Sequence, residues 1–131
     1  MRSHQPVGSD LFISLALSLL LGTSPASHAA GDPKRGAATF AQECALCHSV
    51  QEGRNKLGPS LFGVVGRKAG SIADYIYSAP MKQSNFVWSP DKIDTYIADP
   101  QQVVPGDKMK YHGLADEKDR ADVIAYLSTL H

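Results

Sequence analysis

Residues 43–50 read Glu-Cys-Ala-Leu-Cys-His-Ser-Val (ECALCHSV), and they contain both cysteines of a 131-residue chain. Two cysteines three apart could form a disulfide, a redox dithiol, half of a zinc site, or attachment points for a larger group. A disulfide across two intervening residues closes a very short loop, so it restrains the unfolded chain least. A thioredoxin-like dithiol belongs at a helix start in a βαβ setting, and no strand-length alternation of apolar and polar residues occurs here. Zinc needs about four ligands, whereas His112 and His131 lie far down the chain without paired donors nearby. The residue after the second cysteine decides. Cys-x-x-Cys-His is the attachment sequence of c-type haem, in which two thiols form thioethers to the vinyl groups and the adjacent imidazole reaches the iron. This reading makes Cys44 and Cys47 the covalent sites and His48 an axial ligand of one covalently bound haem c.

The N-terminal segment agrees with such chemistry, because bacterial haem attachment of this kind takes place outside the cytoplasm. Arg2 and His4 precede an apolar run from Leu11 to Leu21, and Ser27-His28-Ala29 has the small-x-Ala form that signal peptidase cuts. Residues 1–29 are therefore expected to be a cleaved secretory signal, and residues 30–131 a single domain. The apolar run is about half of the roughly 20 residues that span a bilayer, which disfavours a retained anchor. Thirteen basic and thirteen acidic residues cancel, so nothing favours nucleic-acid binding. A domain of about 100 residues with many Gly and Pro is near the lower limit for a self-sufficient core, and a bound cofactor would help it fold.

Three segments carry helix signals. The first starts at Asp32-Pro33 and runs through Gly36, Ala37, Phe40 and Ala41 to the cysteine pair. The second starts at Ser89-Pro90, carries Ile93, Tyr96 and Ile97 on one face, and must stop near Asp99 because Pro100 follows. The third has Asp116 as its cap and Val123, Ile124, Leu127 and Leu130 at helical spacing, running to within a residue or two of the C-terminus. A further short helix is expected around Ser71 to Ser78. The picture is an all-α domain with long loops, which need something inside them to pack against.

In order and nearly in spacing, several segments resemble the class I cytochrome c family: Gly36 and Phe40, CALCH, Gly58-Pro59-Ser60-Leu61-Phe62-Gly63, Trp88, Tyr96, Pro105-Gly106-Asp107-Lys108-Met109, and Arg120 to Leu127. The likeness is to mitochondrial cytochrome c and medium-length bacterial relatives. It implies a small fold of helices and long loops wrapped around one haem. From the residues alone, the second axial ligand could be Met81, Met109, His112, His131 or a lysine, with Met109 set apart by the Pro-Gly turn before it. The resemblance places it at Met109. It further implies that the Pro59 carbonyl accepts the His48 ring N–H, and that Arg67, Tyr77 and Trp88 bond the haem propionates, with Tyr75 assisting. Tyr96 would approach the Met109 sulfur, and Leu61, Ile97 and Leu127 would supply apolar wall.

The chain departs from the family pattern at a few places. Met81 stands where an asparagine is frequent, Asp107 replaces a threonine, and Gln101-Gln102 and Glu43 stand where lysines are common. Loss of lysine leaves Arg54, Lys56, Lys108 and Lys110 as the positive charges of the docking face, which weakens steering toward a strongly acidic partner. His/Met ligation leaves no vacant iron position and suits a relatively high-potential carrier. The expected protein is a soluble, monomeric, non-enzymatic one-electron carrier of the periplasm. It would work between a redox donor and an acceptor and meet membranes only through membrane-bound partners. The alternative is a dedicated haem c subunit of a periplasmic oxidoreductase, such as a sulfite or alcohol dehydrogenase; a gas sensor or peroxidase would require Met109 to leave the iron.

Overall fold

Four of the five helices among the described residues begin alike, with an aspartate or serine cap and a proline in the first turn. The computed structural model describes residues 30–131, and the signal expected over residues 1–29 lies outside them. Helix α1 spans Pro33–Glu43, α2 Ala79–Gln83, α3 Pro90–Ala98, α4 Pro100–Val103 and α5 Glu117–Leu127. Asp32 accepts from the N–H groups of Lys34 and Arg35, Ser78 from Met81, Ser89 from Lys92, and Asp99 from Gln102. Proline has no N–H to orphan at a helix start and a φ already suited to it. Each such cap contributes about 1 kcal/mol relative to alanine.

The expected helices at Asp32, Ser89 and Asp116 are present, and three details differ. The helix expected around Ser71 to Ser78 lies instead at Ala79–Gln83. Ser78 is extended, and its hydroxyl accepts the Met81 N–H at 3.2 Å, so it precedes the helix that Pro80 helps to start. α5 ends at Leu127, four residues short of the C-terminus, because the Ser128 and Thr129 hydroxyls bond back to the carbonyls of Ile124 and Tyr126. Leu130 falls beyond the helix, where its carbonyl accepts the Gly63 N–H at 2.8 Å. Pro100 does end α3, yet it also starts α4, with Asp99 serving as the last residue of one and the cap of the next.

The central packing event is α1 against α5. A Cβ on Gly36 would stand 1.9 Å from the Asp122 carbonyl oxygen, so only glycine lets the two backbones approach this closely. The same contact buries the Asp122 carboxylate. Its oxygens accept from the Asp32 N–H at 2.6 Å, Arg35 Nε at 2.8 Å and Lys118 Nζ at 3.0 Å. Beside it Phe40 meets Tyr126 with ring centroids 5.7 Å apart. Trp88 stacks edge-on against both Phe86 and Tyr96, with centroids 4.8 Å apart in each pair, and Val64, Met81, Ile93, Val104, Val123 and Leu127 complete the buried core. The loop between α1 and α2 folds over this core with a single bridge, Lys68 to Val87. The described residues contain no strand, and the fold is all-α. No helix among them is long and apolar enough to cross a membrane.

Candidate haem site

The attachment motif lies on one further turn beyond α1. The N–H groups of Cys47 and His48 both return to the Cys44 carbonyl, at 3.1 and 2.9 Å, which keeps the two thiols and the imidazole on a single coil of backbone. Cys44 and Cys47 are half-buried and not disulfide-linked. Burial pushes the Cys44 thiol up to about 11, with the neighbouring Glu43 carboxylate and Cys47 adding to the effect. That is the reverse of a reactive redox cysteine, whose thiolate is favoured.

His48 is held through one ring nitrogen. Its Nδ1 is 2.8 Å from the Pro59 carbonyl oxygen. A carbonyl can only accept, so Nδ1 carries the hydrogen and Nε2 is left as the lone-pair nitrogen. Burial favours the neutral imidazole, and the charges of Lys56 and Arg67 act in the same direction; the Pro59 bond partly opposes them. Gly58 makes room for the ring, since a Cβ there would stand 2.3 Å from His48 Cε1. The Gly58 N–H donates to the Cys47 carbonyl at 2.7 Å, which ties the Gly58-Pro59 loop to the attachment turn.

Met109 is positioned from the other side of the chain. α4 leads into the Pro105-Gly106 turn, where the Asp107 N–H returns to the Val104 carbonyl at 3.0 Å. Gln101 braces this loop: its Nε2 donates to the carbonyls of Asp107 and Met109 at 3.0 and 3.3 Å, and its Oε1 accepts the Gly106 N–H at 3.2 Å. The Tyr96 hydroxyl reaches the Met109 Sδ at 3.3 Å and makes a close hydrogen bond to the Asp107 carboxylate. Burial, reinforced by the Asp107 bond, holds the Tyr96 hydroxyl firmly protonated.

Two bridges join the histidine-bearing and methionine-bearing segments. On one side Tyr111, two residues beyond Met109, donates to the carboxylate of Glu43, next to Cys44, at 2.9 Å. On the other, the Tyr75 hydroxyl donates to the Leu57 carbonyl at 2.7 Å. The ammonium of Lys108 lies 4.3 Å from the centre of that same tyrosine ring. Neither Glu43 nor Gln101 had been expected as a brace, and nothing local in the sequence marks them as such.

The remaining expected residues occupy definite places. Arg67 donates from its two terminal nitrogens to the carbonyls of Phe62 and Ser60, at 3.0 and 2.9 Å. The Tyr77 hydroxyl accepts the Ile72 N–H at 3.3 Å, and its own hydrogen has no acceptor among the described residues. Trp88 is buried to 9% exposure, its ring edge-on to Phe86 and Tyr96. Met81 is buried in the core at 5% exposure. His112 is exposed and lies against Tyr111 with ring centroids 4.9 Å apart, and His131 is exposed at the terminus. The donor set fits a covalently attached haem: two thiols on one turn, an imidazole with Nε2 open, and a thioether on a braced loop.

The family model for cytochrome c matches residues 33–131. The chain belongs to the cytochrome c family. It is 52% identical over 100 residues to cytochrome c2 of Rhodopila globiformis, covering 76% of this chain and 94% of that one. Against cytochrome c of Theileria annulata the identity is 50% over 98 residues, 74% of this chain and 84% of the other. Against cytochrome c of Gibberella zeae it is 46% over 100 residues, 76% and 94%. As a member of this family the chain carries one covalent haem c and works with redox partners as an electron carrier rather than an enzyme.

Proposed function

We propose that His48 and Met109 are the two axial ligands of the haem iron, and that the protein is a soluble, monomeric one-electron carrier of the periplasm. The bound iron supplies the electron chemistry by cycling between its ferrous and ferric states. The observation that carries the reading is the pair of placed donors: Pro59 orients His48 with Nε2 open, and the Gln101-braced loop sets the Met109 sulfur 3.3 Å from the Tyr96 hydroxyl oxygen. Pro59 acts on the metal through the imidazole, since a hydrogen bond to the far nitrogen sets ring orientation and ligand basicity. Arg67, Tyr75, Tyr77 and Trp88 serve the propionate side, with Tyr77 and Trp88 as direct donors. A filled iron leaves no position for a substrate, which is what a carrier needs.

The contact surface for partners lies where exposed apolar side chains meet positive charge. Leu46, Leu57 and Ile76 are 81%, 75% and 85% exposed, and Arg54, Lys56, Lys108 and Lys110 are exposed around them. Export fits the signal-like residues 1–29.

The test is the spectrum and the location of the protein expressed with its own N-terminus. A six-coordinate low-spin ferrous spectrum, no carbon monoxide binding at neutral pH, and a periplasmic product beginning at Ala30 are expected. A stable five-coordinate spectrum would overturn the ligand assignment. Stoichiometric co-purification with one oxidoreductase from the native cell would replace the free carrier by a dedicated subunit.

A further inference from the structure

Asp107 is a carboxylate buried to 4% exposure beside the proposed sulfur ligand, and the redox role described so far makes no use of it. Every polar contact of its side chain is with a donor. The Ser78 hydroxyl donates at 2.7 Å, while its oxygen accepts the Met81 N–H. The Lys108 N–H donates at 2.8 Å. The Tyr96 hydroxyl makes the third bond. Three donors around an acceptor-only group is the arrangement of an ionised carboxylate.

Tyr96 has one hydroxyl hydrogen and two neighbours that could take it, the Asp107 carboxylate and the Met109 sulfur at 3.3 Å. A carboxylate is a strong, charge-assisted acceptor, whereas a thioether sulfur is a weak one. The hydrogen therefore belongs to Asp107, and the sulfur faces the hydroxyl oxygen.

We propose that Asp107 is a potential-setting residue: by taking the Tyr96 hydrogen and placing a fixed negative charge beside Met109, it favours ferric over ferrous iron. Two effects act together. A thioether relieved of a hydrogen bond keeps more of its lone-pair density for the iron, which favours the oxidised metal. A buried anion also interacts more favourably with the more positive ferric site, and the low local dielectric strengthens that interaction. Net charge and hydrogen bonding at the ligands are the means by which a protein sets a haem potential. Ser78 and Gln101 become positioning residues for this device, one through the carboxylate and the other through the loop carbonyls.

The inference rests on Met109 as ligand, so the experiment checks that first. Spectroelectrochemical titration of the haem-loaded protein is run on wild type, Met109→Ala, Asp107→Asn and Asp107→Thr. Retention of the sulfur-to-iron charge-transfer band in Met109→Ala would remove the ligand assignment itself. With that band lost in Met109→Ala and intact in the Asp107 variants, the reduced-to-oxidised ratio at a fixed applied potential is expected to rise about tenfold in both, equivalent to 59 mV for one electron. An unchanged or lowered ratio with the band intact overturns the role of Asp107. Should only one variant accumulate, that one decides. Tyr96→Phe supplies an independent reading: it should shift the potential less in wild type than in the Asp107→Thr background, where the hydrogen returns to sulfur. Equal shifts in the two backgrounds overturn the assignment of the hydrogen to Asp107.

Discussion

The Tyr111 hydroxyl donates to the Glu43 carboxylate at 2.9 Å, joining residues separated by 68 positions. One partner precedes the first attachment cysteine and the other follows the proposed sulfur ligand by two residues, so the bond ties Met109 to the attachment side of the fold. Burial, followed by this bond, raises the Tyr111 hydroxyl well above the ordinary tyrosine range. From sequence Glu43 is a charge change on a docking face; in the fold it is also a tether.

Tyr111→Phe should therefore loosen the Met109 loop without touching the iron. A hydrogen bond of this kind contributes about 1 kcal/mol, which predicts a several-fold easier displacement of Met109. The check is the pH at which the ferric sulfur-to-iron band disappears, expected lower in the variant. No shift would make the bond incidental.

The same loop carries two lysines that are expected to replace the proposed ligand Met109 at high pH. Lys108 is engaged, since its ammonium lies over Tyr75 and bonds the Ile76 carbonyl. Lys110 is held by a single 3.3 Å contact with the Asp107 carbonyl. Each must lose its proton and swing inward before it can ligate, and Lys110 has less to break. Lys110→Ala should remove more of the alkaline form than Lys108→Ala, and the double variant should abolish it. An alkaline spectral transition unaltered in the double variant would rule lysine out.

Gly36 and Gly58 separate global packing from ligand geometry. Gly36→Ala places a Cβ 1.9 Å from a backbone carbonyl of α5, a collision that cannot be relieved by a rotamer. Overpacking typically costs about 1–3 kcal/mol, so denaturant stability should fall while the visible spectrum of the folded fraction stays unchanged. Gly58→Ala instead pushes on the His48 ring, at 2.3 Å from Cε1. Here the spectrum should lose low-spin character and the Pro59 bond should break, seen as a shifted ring-nitrogen resonance. Similar outcomes for the two variants would contradict this division.

What could be read from the sequence was local. Asp32-Pro33 and Ser89-Pro90 announce helices because cap and proline act on the next turn alone, and CALCH announces the haem because its donors are adjacent. Ser78 misled for the same reason: serine and proline within a loop look alike whether they end an element or begin one. Pro100 was legible as a stop, but its role as the first residue of α4 depends on Asp99 facing both ways. Of the groups around Met109, Tyr96 was expected from the family likeness, and the others were not legible. Ser78 lies 29 residues from Asp107 and Tyr111 lies 68 from Glu43, and only the packed chain shows which polar ends meet. Asp107 could be noticed from sequence as a departure from the family, yet its consequence depends on the Tyr96 hydroxyl lying between it and a sulfur.

Acid stability should centre on Asp122, the carboxylate sealed between α1 and α5 with its side chain 2% exposed. The Arg35 guanidinium, followed by the Asp32 N–H, holds it well below the ordinary aspartate value of 3.8, with Lys118 adding to the effect. A depressed folded-state value means the unfolded chain binds the proton more readily. The stabilisation is thus complete above about pH 4 and is lost as pH falls through the folded-state value. Asp32 is shifted in the same direction by the N–H groups of Arg35 and Lys34, so it contributes to the same window, but as an exposed cap. Asp122→Asn should lower stability at pH 7 and flatten the decline below pH 4, because the amide has no proton to take up. Asp32→Asn, which keeps a capping oxygen, should leave most of that decline in place. Urea unfolding followed by far-ultraviolet circular dichroism between pH 7 and 2.5 measures both slopes, and an Asp122→Asn curve as steep as wild type would shift the origin of acid sensitivity away from the α1–α5 contact.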